Sequence, residues 1–335
     1  MKILHREKAE QPSFWYLIKQ FIHLRRFAFT VFLPLMGAAT ADGNASWNQL
    51  LLIIATAFQF HLFTYVLNDV IDLPVDRLMP KRASHPLVRG EIGPGTALVI
   101  ASIQVPLVLA IAWLGGVSWN GIRALTAAML CMAIYDIWGK RNAFPPITDL
   151  IQALAWGCLT LYGAWAVGNP SVLTYVLAAI FVVFILLMNG VFEGVIDIEE
   201  DSRAGLKTTA MVFGVQPRGE TRLPFIPASL LIYCLVLEVV LSVFNLIPLA
   251  GNLFGYPSLL RTVLLLPVIV LNIAIVWLSV RLIIPSERLR KRIKDEHIDL
   301  MSIFSILILL VSYFPSLEPQ FIAAILLCTI LPMVL

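Results

Sequence analysis

The sequence is a succession of apolar segments, each close to the roughly 20 residues that an α-helix needs to cross a membrane. Short polar loops separate about nine such segments between residues 27 and 314, and a tenth, residues 321–335, closes the chain. Pro315 and Pro319 lie between the ninth and tenth segments, where proline interrupts a helix. The pattern predicts an all-α, polytopic transmembrane helical bundle of about nine spans embedded in a lipid bilayer.

The charge content supports this prediction. Of the 335 residues, 59% are hydrophobic and 13% are charged, whereas soluble domains are about half apolar and about a quarter charged. So few charges leave most of the surface to face lipid or other helices. The net charge of +3 does not indicate a nucleic-acid partner. The four cysteines lie inside apolar segments without CxxC spacing, which is typical of small buried side chains.

The basic residues indicate the orientation of the chain. Of the 24 Lys and Arg residues, 22 fall in the N-terminal arm and the even-numbered loops, and only Arg123 and Arg261 lie near the other side. By the positive-inside rule, the arm and these loops are cytoplasmic. We therefore predict a cytoplasmic N-terminal arm over residues 1–20 and a transmembrane domain over residues 21–335.

A first acidic cluster follows the second predicted span. Asn68, Asp72 and Asp76 recur at every fourth residue, and each such step turns a helix only about 40° past a full circle. The three polar groups therefore share one helical face, and Asp69 adds another oxygen nearby. Pro74 lies inside the cluster and predicts a kink or a short helical piece.

A second cluster repeats the spacing after the sixth predicted span, where Glu193, Asp197 and Asp201 again recur at every fourth residue. One such cluster alone is typical of a solvated helix end. Two of them on the same membrane face would repel each other unless divalent cations bind between them. Magnesium is usually held by one or two carboxylates together with substrate phosphates. The pair therefore predicts a Mg2+ site for a phosphate-bearing substrate.

These residues resemble the motifs of the UbiA superfamily of intramembrane prenyltransferases, and the resemblance extends from about residue 20 to residue 315. The first cluster matches NDxxDxxxD and is followed by Arg77. His85 then opens an HPLVRG sequence where the family has an RPL–small–G element. The second cluster matches DxxxD followed by a Gly-x-Lys/Arg-Ser/Thr step through Asp197, Asp201, Gly205, Lys207 and Thr208. Tyr135 and Lys140 stand where the family has a tyrosine and a basic residue after the fourth span.

The resemblance implies a nine-helix bundle around a central cavity capped by cytoplasmic loops. Mg2+ ions would bridge the two motifs and the diphosphate of an isoprenyl donor. Ionisation of the allylic carbon–oxygen bond would give a carbocation that an aromatic or other nucleophilic, hydrophobic acceptor captures. The implied catalytic residues are Asp72, Asp76, Asp197 and Asp201. These four, with Asn68 and Glu193, are the implied metal ligands. The implied substrate-binding residues are Asn68, Asp69, Arg77, Tyr135, Lys140 and Lys207.

Two alternatives remain open from the sequence. A membrane terpene cyclase of the same superfamily would use the same metal site, but its cation would close on its own chain. A cation-coupled transporter would instead place acidic sites on broken helices near the midplane of the membrane. The acidic clusters lie at the predicted membrane face, which favours the enzyme.

Overall fold

The computed structural model describes residues 20–79, 82–141, 144–218, 224–283 and 291–334, and this part of the chain is almost entirely helical. A π-helical segment, Leu186–Glu193, follows the seventh helix, and 3-10 turns occur at Gly139–Arg141 and Phe314–Ser316. The helices are α1 (Leu24–Ala39), α2 (Trp47–Asp76), α3 (Pro86–Arg89), α4 (Pro94–Leu114), α5 (Trp119–Trp138), α6 (Pro145–Val167), α7 (Val172–Ile185), α8 (Gly194–Ile196), α9 (Ile198–Arg203), α10 (Thr209–Val212), α11 (Ala228–Ala250), α12 (Ser258–Ile283), α13 (Lys291–Tyr313) and α14 (Pro319–Val334).

The predicted all-α, polytopic organisation is confirmed. Within the described residues, seven helices are long and apolar enough to cross a membrane, and two shorter apolar helices cover Leu300–Ser316 and Pro319–Cys328. The predicted number of nine spans therefore stays a prediction. The predicted N-terminal arm, residues 1–20, lies outside the described residues apart from Gln20, so its separation from the rest of the chain also stays a prediction.

The length of α2 carries the first acidic cluster to the edge of the bundle. Its 30 residues extend for about 45 Å at 1.5 Å per residue, which exceeds the roughly 30 Å hydrocarbon core. At its start, Ser46 and Gln49 form a capping box, and Trp47 is more than half exposed, as aromatic residues at a membrane interface often are. The last turns, which carry Asn68 to Asp76, consequently emerge at the opposite face.

Helices α1 and α6 cross in close contact at the centre of the bundle. A Cβ atom at Gly37 would lie 1.9 Å from the carbonyl oxygen of Thr160, and one at Gly163 would lie 1.9 Å from that of Pro34. Only glycine permits this separation, and small residues are the usual contact between helices in membranes. α1 also packs against α2, and α6 packs against α7.

The face opposite the acidic clusters is closed by short polar contacts. Strands β1 (Ala41–Asp42) and β2 (Asn169–Pro170) pair antiparallel and join the α1–α2 loop to the α6–α7 loop. Thr40 donates to the hydroxyl of Thr174 at 3.0 Å. At the same face, Gln320 of α14 donates to the carbonyl of Ala45 at 2.5 Å. These contacts fix one end of the bundle and leave the motif loops at the other end.

Candidate active site

The first motif, residues 68–77, lies on a single helix. α2 continues through Pro74 to Asp76, so the predicted short helical piece is not what forms, and Asn68, Asp72 and Asp76 lie on one face as predicted. The Nδ2 atom of Asn68 donates to Asp72 Oδ2 at 3.2 Å. Arg77 is the exposed C-cap of the helix. The motif is therefore a preformed row of polar groups at the end of a long helix.

Asp136 joins this row from the last turn of α5. The Nδ2 atom of Asn68 lies 3.3 Å from Asp136 Oδ1, while Asp136 Oδ2 is buried and has no hydrogen-bond partner among the described residues. Sequence reasoning missed this carboxyl group. The sequence does contain a signal for Asp136, because an acidic residue at the end of an apolar span, next to Tyr135, is a functional candidate by default.

Asp69 points away from this row. Its Oδ2 accepts a hydrogen bond from His23 Nε2 at 2.7 Å and lies 3.3 Å from His85 Nε2, and its Oδ1 lies 4.0 Å from an Arg82 nitrogen. Arg82 Nε also lies 3.5 Å from Asp76 Oδ1. The carboxylate of Asp69 is thus surrounded by basic groups, and its predicted contact with substrate stays a prediction.

The second motif, residues 193–208, has a different backbone. The π-helical segment ends at Glu193, and Asp197 (φ −90°, ψ 7°) separates α8 from α9, so one continuous helix does not form. The four-residue hydrogen bonds nevertheless persist, from the amide of Asp197 to the carbonyl of Glu193 at 2.9 Å and from Asp201 to Asp197 at 2.8 Å. The three acidic residues consequently remain on one face, as their spacing predicted.

The second motif lines an open cleft of about 420 Å³, its mouth included. Glu193 is exposed there, Asp197 is half-buried and Asp201 is buried. Lys207 is exposed at the rim, and Tyr135 reaches the cleft from α5. Among the described residues, those that line the cleft are Tyr135, Gly139, Pro145, Asp149, Asn189, Glu193, Gly194, Asp197, Asp201, Lys207, Thr208 and Thr209.

Helix α6 contributes polar groups that sequence reasoning also missed. Asp149 lines the cleft, and its Oδ2 accepts a short hydrogen bond from the hydroxyl of Thr209. One turn further along, Gln152 Oε1 accepts from Asn189 Nδ2 at 2.6 Å. Isolated polar residues in apolar spans are the available signal, but nothing in their spacing connects them with either motif.

The last turn of α5 connects the two motifs. Tyr135 lines the cleft with the second motif, and Oδ1 of Asp136, the next residue on α5, accepts from Asn68 Nδ2 of the first motif at 3.3 Å. The Nη2 atom of Arg141 donates to the carbonyl of Ile71 at 2.8 Å, which ties the loop after α5 to α2. The side chain of Lys140, predicted to bind substrate, lies outside the described residues.

The ligand groups available here fit a hard cation. Asp149, Glu193, Asp197 and Asp201 offer carboxylate oxygens to the cleft, with threonine hydroxyls beside them, and magnesium prefers oxygen ligands of this kind. No residue of the first motif is among the described residues that line this cleft, but Asn68 donates to both Asp72 and Asp136, which is next to Tyr135 in the chain. The exposed ammonium group of Lys207 suits a phosphate oxygen. The arrangement therefore suits a diphosphate held between metal ions and a cation.

Comparison with known proteins yields one family. The sequence profile of the UbiA prenyltransferase family matches residues 28–305. Digeranylgeranylglyceryl phosphate synthase of Thermococcus sibiricus is 27% identical over 198 residues, which cover 59% of this chain and 68% of that protein. 4-Hydroxybenzoate octaprenyltransferase of Tolumonas auensis is 27% identical over 176 residues, which cover 52% of this chain and 60% of that protein.

Solved structures share the fold. A UbiA homologue from Archaeoglobus fulgidus, bound to GPP and Mg2+, superposes with a TM-score of 0.65 at 19% identity, covering 92% of this chain and 99% of the other. The apo UbiA homologue from Aeropyrum pernix superposes with a TM-score of 0.63 at 17% identity, covering 85% and 96%.

Proposed function

This chain belongs to the UbiA prenyltransferase family, and we propose that it transfers a prenyl group from an isoprenyl diphosphate to a hydrophobic acceptor in a Mg2+-dependent reaction. The allylic carbon–oxygen bond breaks and diphosphate leaves with the bonding electrons. The acceptor forms the new bond to carbon and loses a proton. One observation carries the proposal: Tyr135 lines the cleft together with the second motif, and the adjacent Asp136 accepts a hydrogen bond from Asn68 of the first motif at 3.3 Å.

The chain's own residues divide the task. Asn68, Asp72 and Asp76 on one side, and Glu193, Asp197 and Asp201 on the other, would hold the metal ions. Bound Mg2+ neutralises charge that develops on the leaving diphosphate. Lys207, with Lys140 and Arg77 as further candidates, would bind diphosphate oxygens. We assign the motif face to the cytoplasm, because 22 of the 24 basic residues fall in the N-terminal arm and the loops predicted to lie on that side.

A direct assay tests the proposal. Purified protein is incubated with Mg2+ and allylic diphosphates of several chain lengths, and diphosphate release is measured with and without candidate acceptors. Asp72→Ala and Asp197→Ala should each abolish release. Glu91→Gln and Glu199→Gln are matched acidic controls, because Glu91 pairs with Arg89 and Glu199 accepts from the backbone of Arg218. Full activity in both alanine variants would refute the proposal.

The same assay separates the alternatives. A transferase needs an acceptor, and mass analysis of the lipid products shows the prenyl group attached to it. A cyclic hydrocarbon or alcohol formed without acceptor would identify a terpene cyclase instead. Movement of a labelled cation across proteoliposomes, without diphosphate release, would identify a transporter. The two relatives compared above carry different names, so the acceptor is not carried over from either.

A further inference from the structure

A cluster of two histidines and one aspartate lies outside the acidic cleft. The cleft lining includes none of His23, Asp69 and His85, yet one potential ligand atom of each lies within 4.8 Å of the other two. His23 precedes α1, Asp69 lies on α2 and His85 precedes α3. Three separate parts of the chain therefore converge on one point at the motif face.

Hydrogen bonding accounts for only part of this cluster. His23 Nε2 donates to Asp69 Oδ2 at 2.7 Å, so that pair is satisfied by itself. His85 is different, because its side chain is only 4% exposed and neither ring nitrogen has a hydrogen-bond partner among the described residues. Its Nε2 lies 3.3 Å from Asp69 Oδ2 without the alignment of a hydrogen bond. A buried imidazole without a hydrogen-bond partner destabilises the folded protein, and a bound ion would remove this penalty.

We propose that His23, Asp69 and His85 form a binding site for a transition-metal ion of the Zn2+ type. It lies beside the first acidic motif, where Arg82 contacts both Asp69 and Asp76, and it shares no ligand with the residues assigned above to Mg2+. Tetrahedral bonds of about 2.1 Å place ligand atoms about 3.4 Å apart. The distance of 3.3 Å from His85 Nε2 to Asp69 Oδ2 is close to this value, the 2.7 Å from His23 Nε2 would have to lengthen by about 0.7 Å, and all three ligand atoms lie within 4.8 Å of one another. Two imidazoles select such an ion over Mg2+, which prefers oxygen ligands.

The surroundings hold the ligands in place. His23 adopts a left-handed backbone conformation, φ 48° and ψ 45°, which is uncommon for residues other than glycine and is maintained by neighbouring contacts. One such contact is a hydrogen bond from His61 Nε2 to the carbonyl of Ile22 at 2.8 Å. Arg82 lies beside the second oxygen of Asp69, at 4.0 Å, where an outer group orients a ligating carboxylate. The side chain of His23 is 10% exposed and provides the entry path.

Metal content tests the site without an activity assay. Full-length protein, free of any polyhistidine tag, is stripped with chelator, equilibrated with Zn2+ in excess Mg2+, dialysed and analysed by mass spectrometry. The wild type should retain about one zinc ion per chain. His23→Ala, His85→Ala and Asp69→Asn should each weaken zinc binding by at least about 100-fold, because even outer partners contribute 10–100-fold. Glu91→Gln, in the same loop as His85, should bind as the wild type does.

A second readout needs no variant. Wild-type protein loaded with Co2+ should show the visible absorption of a four- or five-coordinate site with nitrogen ligands, and Zn2+ should abolish it. Wild type that retains no zinc and shows no such absorption overturns the proposal, as does undiminished zinc binding in folded His23→Ala and His85→Ala variants.

Discussion

The two acidic motifs share one spacing of side chains but lie in different kinds of backbone. The first ends a continuous 30-residue helix, and Asn68 is already hydrogen-bonded to Asp72 and Asp136. The second combines a π-helical segment with two short helices around an open cleft. Irregular helix of this kind is frequent at functional sites. Under the function proposed above, the first motif is the preset half of the site and the second is the half against which the substrate fits.

The largest expected effect concerns the claim that the two halves serve one site. Asp72→Asn and Asp197→Asn should each lower kcat/KM by about 1000-fold, since a metal ion supplies several kcal/mol of charge stabilisation. Residues that act as a unit are not additive. The kcat/KM of the double variant should therefore lie within about 10-fold of that of the less active single variant.

Product formation measured by mass spectrometry gives these rate constants, with the single variants and the wild type assayed at saturating Mg2+. Losses that multiply in the double variant would mean that the motifs act independently, and the idea of two halves of one site would fail.

The next effect concerns Asp136, which holds Asn68 in the preset half. Asp136→Leu, which leaves no acceptor for Asn68 Nδ2, should lower kcat/KM by about 10–100-fold, as the loss of an outer partner of a ligand does. Glu238→Leu is the matched control, because Glu238 is also a buried carboxyl group in a span, but it accepts from Ser279 between α11 and α12. Equal rates for the two variants would remove Asp136 from the site.

A smaller effect is expected on the cleft side. Thr209→Val removes the hydroxyl that donates to Asp149, and a hydrogen bond to a charged group contributes about 1.5–3 kcal/mol. We expect a decrease of about 10-fold in kcat/KM, while Thr209→Ser, which keeps the hydroxyl group, should retain most of the activity. If the serine variant is as slow as the valine variant, packing and not the hydrogen bond explains the loss.

The smallest effect compares the two motif loops. Gly90 (φ 76°) and Gly205 (φ 70°) both adopt left-handed backbone conformations, with open space where a Cβ atom would lie. Alanine at either position should lower the free energy of unfolding by about 1–2 kcal/mol through backbone strain alone. Gly95→Ala is the control, because Gly95 has similar space without a positive φ. Chemical denaturation in mixed micelles measures the free energy of unfolding of the three alanine variants. Equal values for all three would show that neither loop requires its glycine.

Much of the first half of the proposed site, which is the motif at the end of α2, could be predicted from the sequence. A four-residue period fixes a shared face whenever the backbone is helical, and α2 is helical through Asp76. Of the two outcomes that Pro74 predicted, the short helical piece does not form, because the helix continues through Pro74 to the end of the motif, while the kink stays a prediction. The apolar content predicted the transmembrane bundle for the same reason, since lipid requires long apolar helices.

The second half could be predicted only in part. The face shared by Glu193, Asp197 and Asp201 followed from spacing, but the π-helical segment depends on a change of hydrogen-bond register that no residue pattern specifies. Asp149 and Asn189 reach the cleft through the packing of α6 against the segment after α7. Contacts of this kind arise from tertiary structure, so residues distant in the sequence give no local signal for them.

The central claim is that both motifs hold metal around one diphosphate. The most direct test is a crystal structure of the protein with Mn2+ and an unreactive prenyl thiolodiphosphate, with the metal ions located by anomalous scattering. The account predicts metal density at Asp72 on α2 and at Asp197 between α8 and α9, with the diphosphate contacting both ions. Metal density at one motif only, with the diphosphate bound away from the other, would contradict it.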